Sequence, residues 1–154
     1  KCAVWHSTAS KALFPALPDY HRNIMDNAEA NLEIGCSLVL DRFWPSELAY
    51  GKLFRPNSGY QEVADALHQR VKQQNYLYIY CFSRNAWGRY SKGHIDPAHS
   101  LSFEQYKQVW KNYEEMLNFM RSVGDKTLLY NLEEDGIDPV KHAQFLTIVH
   151  EILK

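Results

Sequence analysis

Asp41 and Arg42 stand side by side in "LVLDRFWPSELAYG" (residues 38–51), where aliphatic residues run into an acid and a base and then a Pro-Ser-Glu turn. Arginine's planar fork suits bidentate contact with phosphate oxygens. A neighbouring carboxylate can orient that fork, hold magnesium through water, or accept a proton. A strand-end salt bridge or a solvated turn is the plainer account of the same pair. Other polar groups fall at comparable places: His6, with Ser7 and Thr8, after "CAVW"; Arg84, Arg89 and Lys92 after "YLYIYCF"; and Asn131 at the end of "TLLYN".

These residues need elements that carry them to one edge. "CAVWH" (2–6), "SLVLD" (37–41), "YLYIYCF" (76–82) and "TLLYN" (127–131) read as short strands. The unbroken apolar run at 37–41 suits a strand covered on both faces, as in a parallel sheet. Helical spacing joins Ile24, Ala28 and Leu32 within 19–34, with Gly35 as the C-cap. A helix follows Pro45, and Val63, Leu67 and Val71 line one face of a helix over 59–73. "SFEQ" (102–105) fits a capping box opening a long helix to about Val123, and "VKHAQFLTIVHEIL" closes the chain. Residues 84–100 form a long polar loop without periodicity. Strands alternating with helices predict a single α/β domain over 1–154, with a parallel sheet and helices on both faces. In such sheets ligands bind beyond the C-terminal strand ends. All the polar groups above fall there.

Bulk properties narrow the partners. The 154 residues carry 17 basic and 18 acidic side chains, a formal charge of −1, so no global field favours nucleic acid. Three widely spaced cysteines, Cys2, Cys36 and Cys81, fit neither a disulfide framework nor a zinc site and point to a reducing compartment. No apolar run approaches the ~20 residues of a membrane span. A cytoplasmic protein with a small-molecule partner is expected, and a homodimer stays open. His94 with His99, and His142 with His150, lack the spacing of metal ligands.

"DRFWPSELAYG" resembles the D-R-x-x-x-S-x-x-x-Y segment of the thymidylate kinase and deoxynucleoside kinase group of P-loop kinases, particularly the phage thymidylate-kinase-like proteins. The Arg-bearing loop at 84–100 and its following helix are similar to that group's lid and post-lid helix. "LLYNLEEDGID" with the closing helix is similar to its final strand, adenine-side loop and last helix. The resemblance covers nearly the whole chain in order and spacing. It implies ATP-dependent phosphoryl transfer to a deoxynucleoside monophosphate, with magnesium. Arg42 would grip the acceptor phosphate while Asp41 orients it or the magnesium. His6, Ser46 and Tyr50 would face the acceptor. Arg84, Arg89 and Lys92 would act as lid cations, and Asn131 would lie near the donor adenine. Such cations are worth several powers of ten in rate. Alternatives are a kinase of nucleosides or of a modified base in DNA, and a non-catalytic nucleotide-binding or regulatory relative.

One part of that pattern is missing. A Walker A loop reads G-x-x-x-x-G-K-[ST], and the nearest spelling, "GRYSKGHI" (88–95), has His94-Ile95 where Lys and Ser/Thr are required. Without the group's first strand, two strand pairs would flank an empty central position. The sequence starts at Lys1 directly on what resembles the second strand. About 20–30 preceding residues with strand, P-loop and first helix are therefore expected.

Overall fold

The computed structural model describes residues 2–6, 16–56, 58–83, 101–133 and 138–154. Among them four strands and five helices alternate, an α/β chain in two compact units, 1–70 and 71–154. Each unit holds one two-stranded parallel sheet. Among the described residues no helix is long and apolar enough to cross a membrane.

The first unit runs β1 (Cys2–His6), α1 (Leu17–Glu33), β2 (Ser37–Asp41), α2 (Trp44–Phe54) and α3 (Tyr60–Lys72). A parallel pair needs a crossover, and α1 supplies it between β1 and β2. The helix stops at Gly35, whose φ of 77° suits a residue without Cβ. The Gly35 N–H bonds to Leu32 O at 2.9 Å and the Cys36 N–H to Asn31 O at 3.0 Å. That is a Schellman closure, and β2 begins one residue later. In β2, Leu38 and Leu40 are half-buried on the side that α1 covers. The opposite face is open: Val39 is 51% exposed and its register partner Val4 68%. The expectation of a strand covered on both faces therefore holds for one face of this pair.

α1 buries Leu17, His21, Met25 and Ala28. This stripe is rotated from the expected one, since Ile24 and Leu32 are only half-buried. Across from it, α3 buries Tyr60, Val63, Ala64, Leu67 and His68. The Arg70 guanidinium forks onto Asp26 at 2.6 Å and Glu29 at 2.5 Å, tying α3 to α1. Trp44, at the start of α2, lays its ring 5.3 Å from that of His68.

The second unit runs β3 (Tyr78–Phe82), α4 (Phe103–Ser122), β4 (Thr127–Asn131) and α5 (Pro139–Ile152). The expected capping box is present: Ser102 Oγ accepts from the Gln105 N–H at 3.2 Å, and Gln105 Oε1 from the Ser102 N–H at 2.9 Å. Tyr80 meets Tyr113 of α4 on one sheet face, with centroids 5.5 Å apart. On the other face Tyr130 meets α5, with Phe145 at 4.6 Å and its hydroxyl 2.9 Å from His142 Nδ1. A helix thus meets each face of this pair, while Ile79 and Leu129 stay 44% exposed. Asp138 caps α5 by accepting from the Val140 N–H. The α5 C-terminus is closed by Lys126, 3.2 Å from Ile152 O, and by Asn75, 2.5 Å from Leu153 O. Even so, α5 buries no residue fully, and Val140, Leu146 and Ile148 stay exposed.

Candidate functional site

Register delivers the first group of residues together. β1 and β2 end side by side, with His6 opposite Asp41, as the strand-end rule requires. Asp41, the last residue of the ladder, and Arg42, just beyond it, are both exposed. Arg42 has φ of 54°, the one non-glycine residue with positive φ among the described residues. That left-handed backbone costs a residue with a Cβ roughly 1–2 kcal/mol. It lets the chain leave β2 and enter α2 within two residues. Phe43 follows, buried and extended, and its carbonyl accepts the Ser46 N–H at 3.0 Å.

Ser46 and Tyr50 come next on α2, one turn apart and both half-buried. The Tyr50 ring lies nearly parallel to that of Phe54, with centroids 6.4 Å apart. Asp41, Arg42, Ser46 and Tyr50 therefore occupy one short strand-turn-helix segment. His6 lies across the ladder from its start.

The remaining expected residues belong to the second unit or lie outside the described residues. Arg84, Arg89, Lys92 and the rest of the loop 84–100 fall in the latter class. Asn131 ends β4 and is buried, with its Oδ1 accepting the Glu133 N–H at 3.1 Å. Beside it Ser83 donates to Glu133 Oε1 at 2.6 Å. These bonds close the turn at the C-terminal ends of β3 and β4. No group of three or more His, Cys, Asp or Glu side chains that could hold a metal occurs among the described residues.

Strain at Arg42 gives a direct expectation. Glycine relaxes a left-handed position and alanine does not. Arg42→Gly should therefore unfold with a free energy about 1 kcal/mol above that of Arg42→Ala, measured in urea. Equal stabilities would show that the turn is unstrained.

A second polar cluster escaped the sequence reading. His21 of α1 is 1% exposed, with Nδ1 hydrogen-bonded to the buried Tyr60 hydroxyl of α3. Burial pushes the His21 pKa down from 6.5 to about 4. The Tyr60 phenol is held well above its usual range, by burial first and then by the Glu47 charge, which the Arg22 charge partly offsets. Glu47 is itself buried and takes Nε of Arg55 at 2.9 Å, with a second contact from Nη2. A Cβ on Gly51 would come within 2.9 Å of Glu47 Oε1, so glycine is what lets the carboxylate lie along α2. Glu47, Gly51, Lys52, Arg55, Gly59 and Tyr60 help line a cavity of about 180 Å³. This hollow sits along the C-terminal half of α2, whereas Arg42 precedes that helix. The cluster did leave one signal in the sequence: a glycine inside a helix, four residues from an acid on one side and a base on the other.

Comparison of the chain with protein-family models, with curated proteins and with solved structures gives no match.

Proposed function

We propose that the chain binds a deoxynucleoside monophosphate at the Arg42 turn and takes part in ATP-dependent phosphoryl transfer to it, as thymidylate-kinase-like enzymes do. The observation that carries the reading is Arg42 itself. An exposed arginine is kept in a costly left-handed conformation at the tip of a parallel strand, where α/β sheets bind ligands.

On this reading Arg42 grips the acceptor phosphate through its planar fork. His6, Ser46 and Tyr50 face the sugar and base. Arg84, Arg89 and Lys92 offset the charge on the phosphoryl group in flight, and Asn131 borders the donor adenine. Asp41 offers one carboxylate, which suits magnesium because that ion fills its shell with water and phosphate oxygens. Magnesium held there would supply charge neutralisation. Catalysis by these residues is positioning and charge neutralisation. The 154 residues contain no G-x-x-x-x-G-K-[ST] stretch. The reading therefore assigns them the acceptor and lid side of the reaction, with no cradle for the donor phosphates. It also places the parallel strands in a P-loop-kinase-type sheet with helices on both faces. The open Val4–Val39 face is one that such a layer would cover.

The same missing stretch favours a second reading, a nucleotide-binding module without turnover. Incubation with ATP, magnesium and a panel of deoxynucleoside monophosphates separates them. Phosphorylation above background that is lost in Arg42→Ala supports the kinase. Arg42-dependent binding without turnover supports the module. No monophosphate binding at all removes both.

A further inference from the structure

His21 is a polar ring almost wholly withdrawn from water, which is costly unless its nitrogens find partners. Tyr60 supplies one, from a helix 39 residues further along the chain. The two rings stand edge-on, with centroids 5.6 Å apart at 74°. The His21 ring also meets Phe43 edge-on, at 5.3 Å and 75°, and Phe43 is the residue directly after Arg42. A non-glycine residue stays left-handed only where its surroundings over-determine it. Arg42 is fixed on its N-terminal side by the ladder, where Asp41 pairs with His6. On its C-terminal side the fixed point is Phe43, a buried ring that packs edge-on against His21.

We propose that His21 and Tyr60 are positioning residues for the Arg42 turn: their hydrogen bond sets the imidazole against Phe43, and Phe43 in turn holds the Arg42 backbone left-handed. The α1–α3 core thereby determines how the guanidinium is presented. The link from turn geometry to ligand affinity rests on the reading given under Proposed function. The link from the pair to the turn does not.

The test uses the whole chain and two independent readouts. Tyr60→Phe keeps the ring and removes the hydroxyl. His21→Leu removes the polar ring, and His21→Asn keeps a hydrogen-bonding group near the Nδ1 position. Amide exchange and NMR shifts are followed at Arg42, Phe43 and Ser46, whose N–H bonds to Phe43 O. A hydrogen bond of ordinary net strength corresponds to about a tenfold change. Tyr60→Phe should therefore speed Ser46 exchange about tenfold relative to amides elsewhere in α2 and shift the Arg42 amide. Affinity for a deoxynucleoside monophosphate should weaken by about the same factor. Adding His21→Leu to Tyr60→Phe should add little, and His21→Asn, which keeps a hydrogen-bonding group but loses the ring that meets Phe43, should disturb the turn much as Tyr60→Phe does. Parent-like exchange and shifts at 42–46 in Tyr60→Phe would overturn the proposal, and that variant decides alone if His21→Leu unfolds. Should the parent bind no monophosphate, the functional reading fails while the amide readout still decides the brace.

Discussion

Arg55→Met should lower the unfolding free energy by about 3–5 kcal/mol, because it leaves the Glu47 carboxylate buried without its cation. The Glu47 side chain is 6% exposed and that of Arg55 18%. An exposed pair of the same composition would contribute at most about 1 kcal/mol. Removing one partner exposes the asymmetry of buried charge: the pair is nearly self-compensating, and the orphan is not. The double variant Glu47→Leu, Arg55→Met should accordingly recover most of the loss, since it buries no charge. Urea unfolding of the three proteins measures both effects. A loss below about 1 kcal/mol for Arg55→Met would mean that water reaches Glu47 freely.

Acidification should bring the second large effect, through His21. The unfolded chain titrates this histidine near 6.5, whereas burial holds the folded value at about 4. Above pH 6.5 the imidazole is neutral in both states and costs nothing. As pH falls from 6.5 towards 4 the unfolded chain takes up a proton that the folded chain refuses, so stability drops. The drop from 6.5 to about 4 amounts to about 3 kcal/mol, and it stops once the folded imidazole also protonates. Around the ring stand the Tyr60 hydroxyl, the Phe43 ring and the Tyr20 ring, the last at 5.6 Å. Unfolding free energies from pH 7 to pH 4 should fall more steeply in the parent than in His21→Asn, where position 21 no longer titrates. Parallel curves would show that His21 is solvated or paired with an acid.

The sequence made the regular elements legible and left the buried polar contacts hidden, for different physical reasons. β2 and β4 occur at 37–41 and 127–131, as their apolar runs between turn residues indicate. The Ser102–Gln105 box and the Gly35 stop are local devices whose partners lie within five residues, so a window of sequence contains them whole. α1 begins at Leu17, ahead of the expected Asp19, because Pro18 fits a helical first turn. β3 begins at Tyr78, not Tyr76, because the ladder opens where Tyr78 meets Thr127, the first residue of β4.

At the site, the Asp41–Arg42–Ser46–Tyr50 segment was legible because a strand tip and the helix after it are contiguous in sequence. The sequence put His6 and Asp41 at strand ends, and the register that sets them opposite one another comes from the ladder. His21 with Tyr60 was not legible, as the two lie 39 residues apart and neither belongs to a motif. The rotation of the α1 stripe has the same origin. His21 takes a core position that hydrophobic spacing assigns to aliphatic residues, and only its distant partner makes that burial tolerable.

The central claim is that Arg42 holds a phosphate, and calorimetric titration of the chain with a deoxynucleoside monophosphate and with its parent nucleoside tests it most directly. Charge-assisted hydrogen bonds to phosphate contribute about 1.5–3 kcal/mol. Arg42→Ala should therefore weaken the monophosphate roughly 10- to 100-fold. The unphosphorylated nucleoside should bind parent and variant alike. Arg42→Lys should fall between them, keeping the charge and losing the fork. Equal monophosphate affinity for parent and Arg42→Ala would contradict the account.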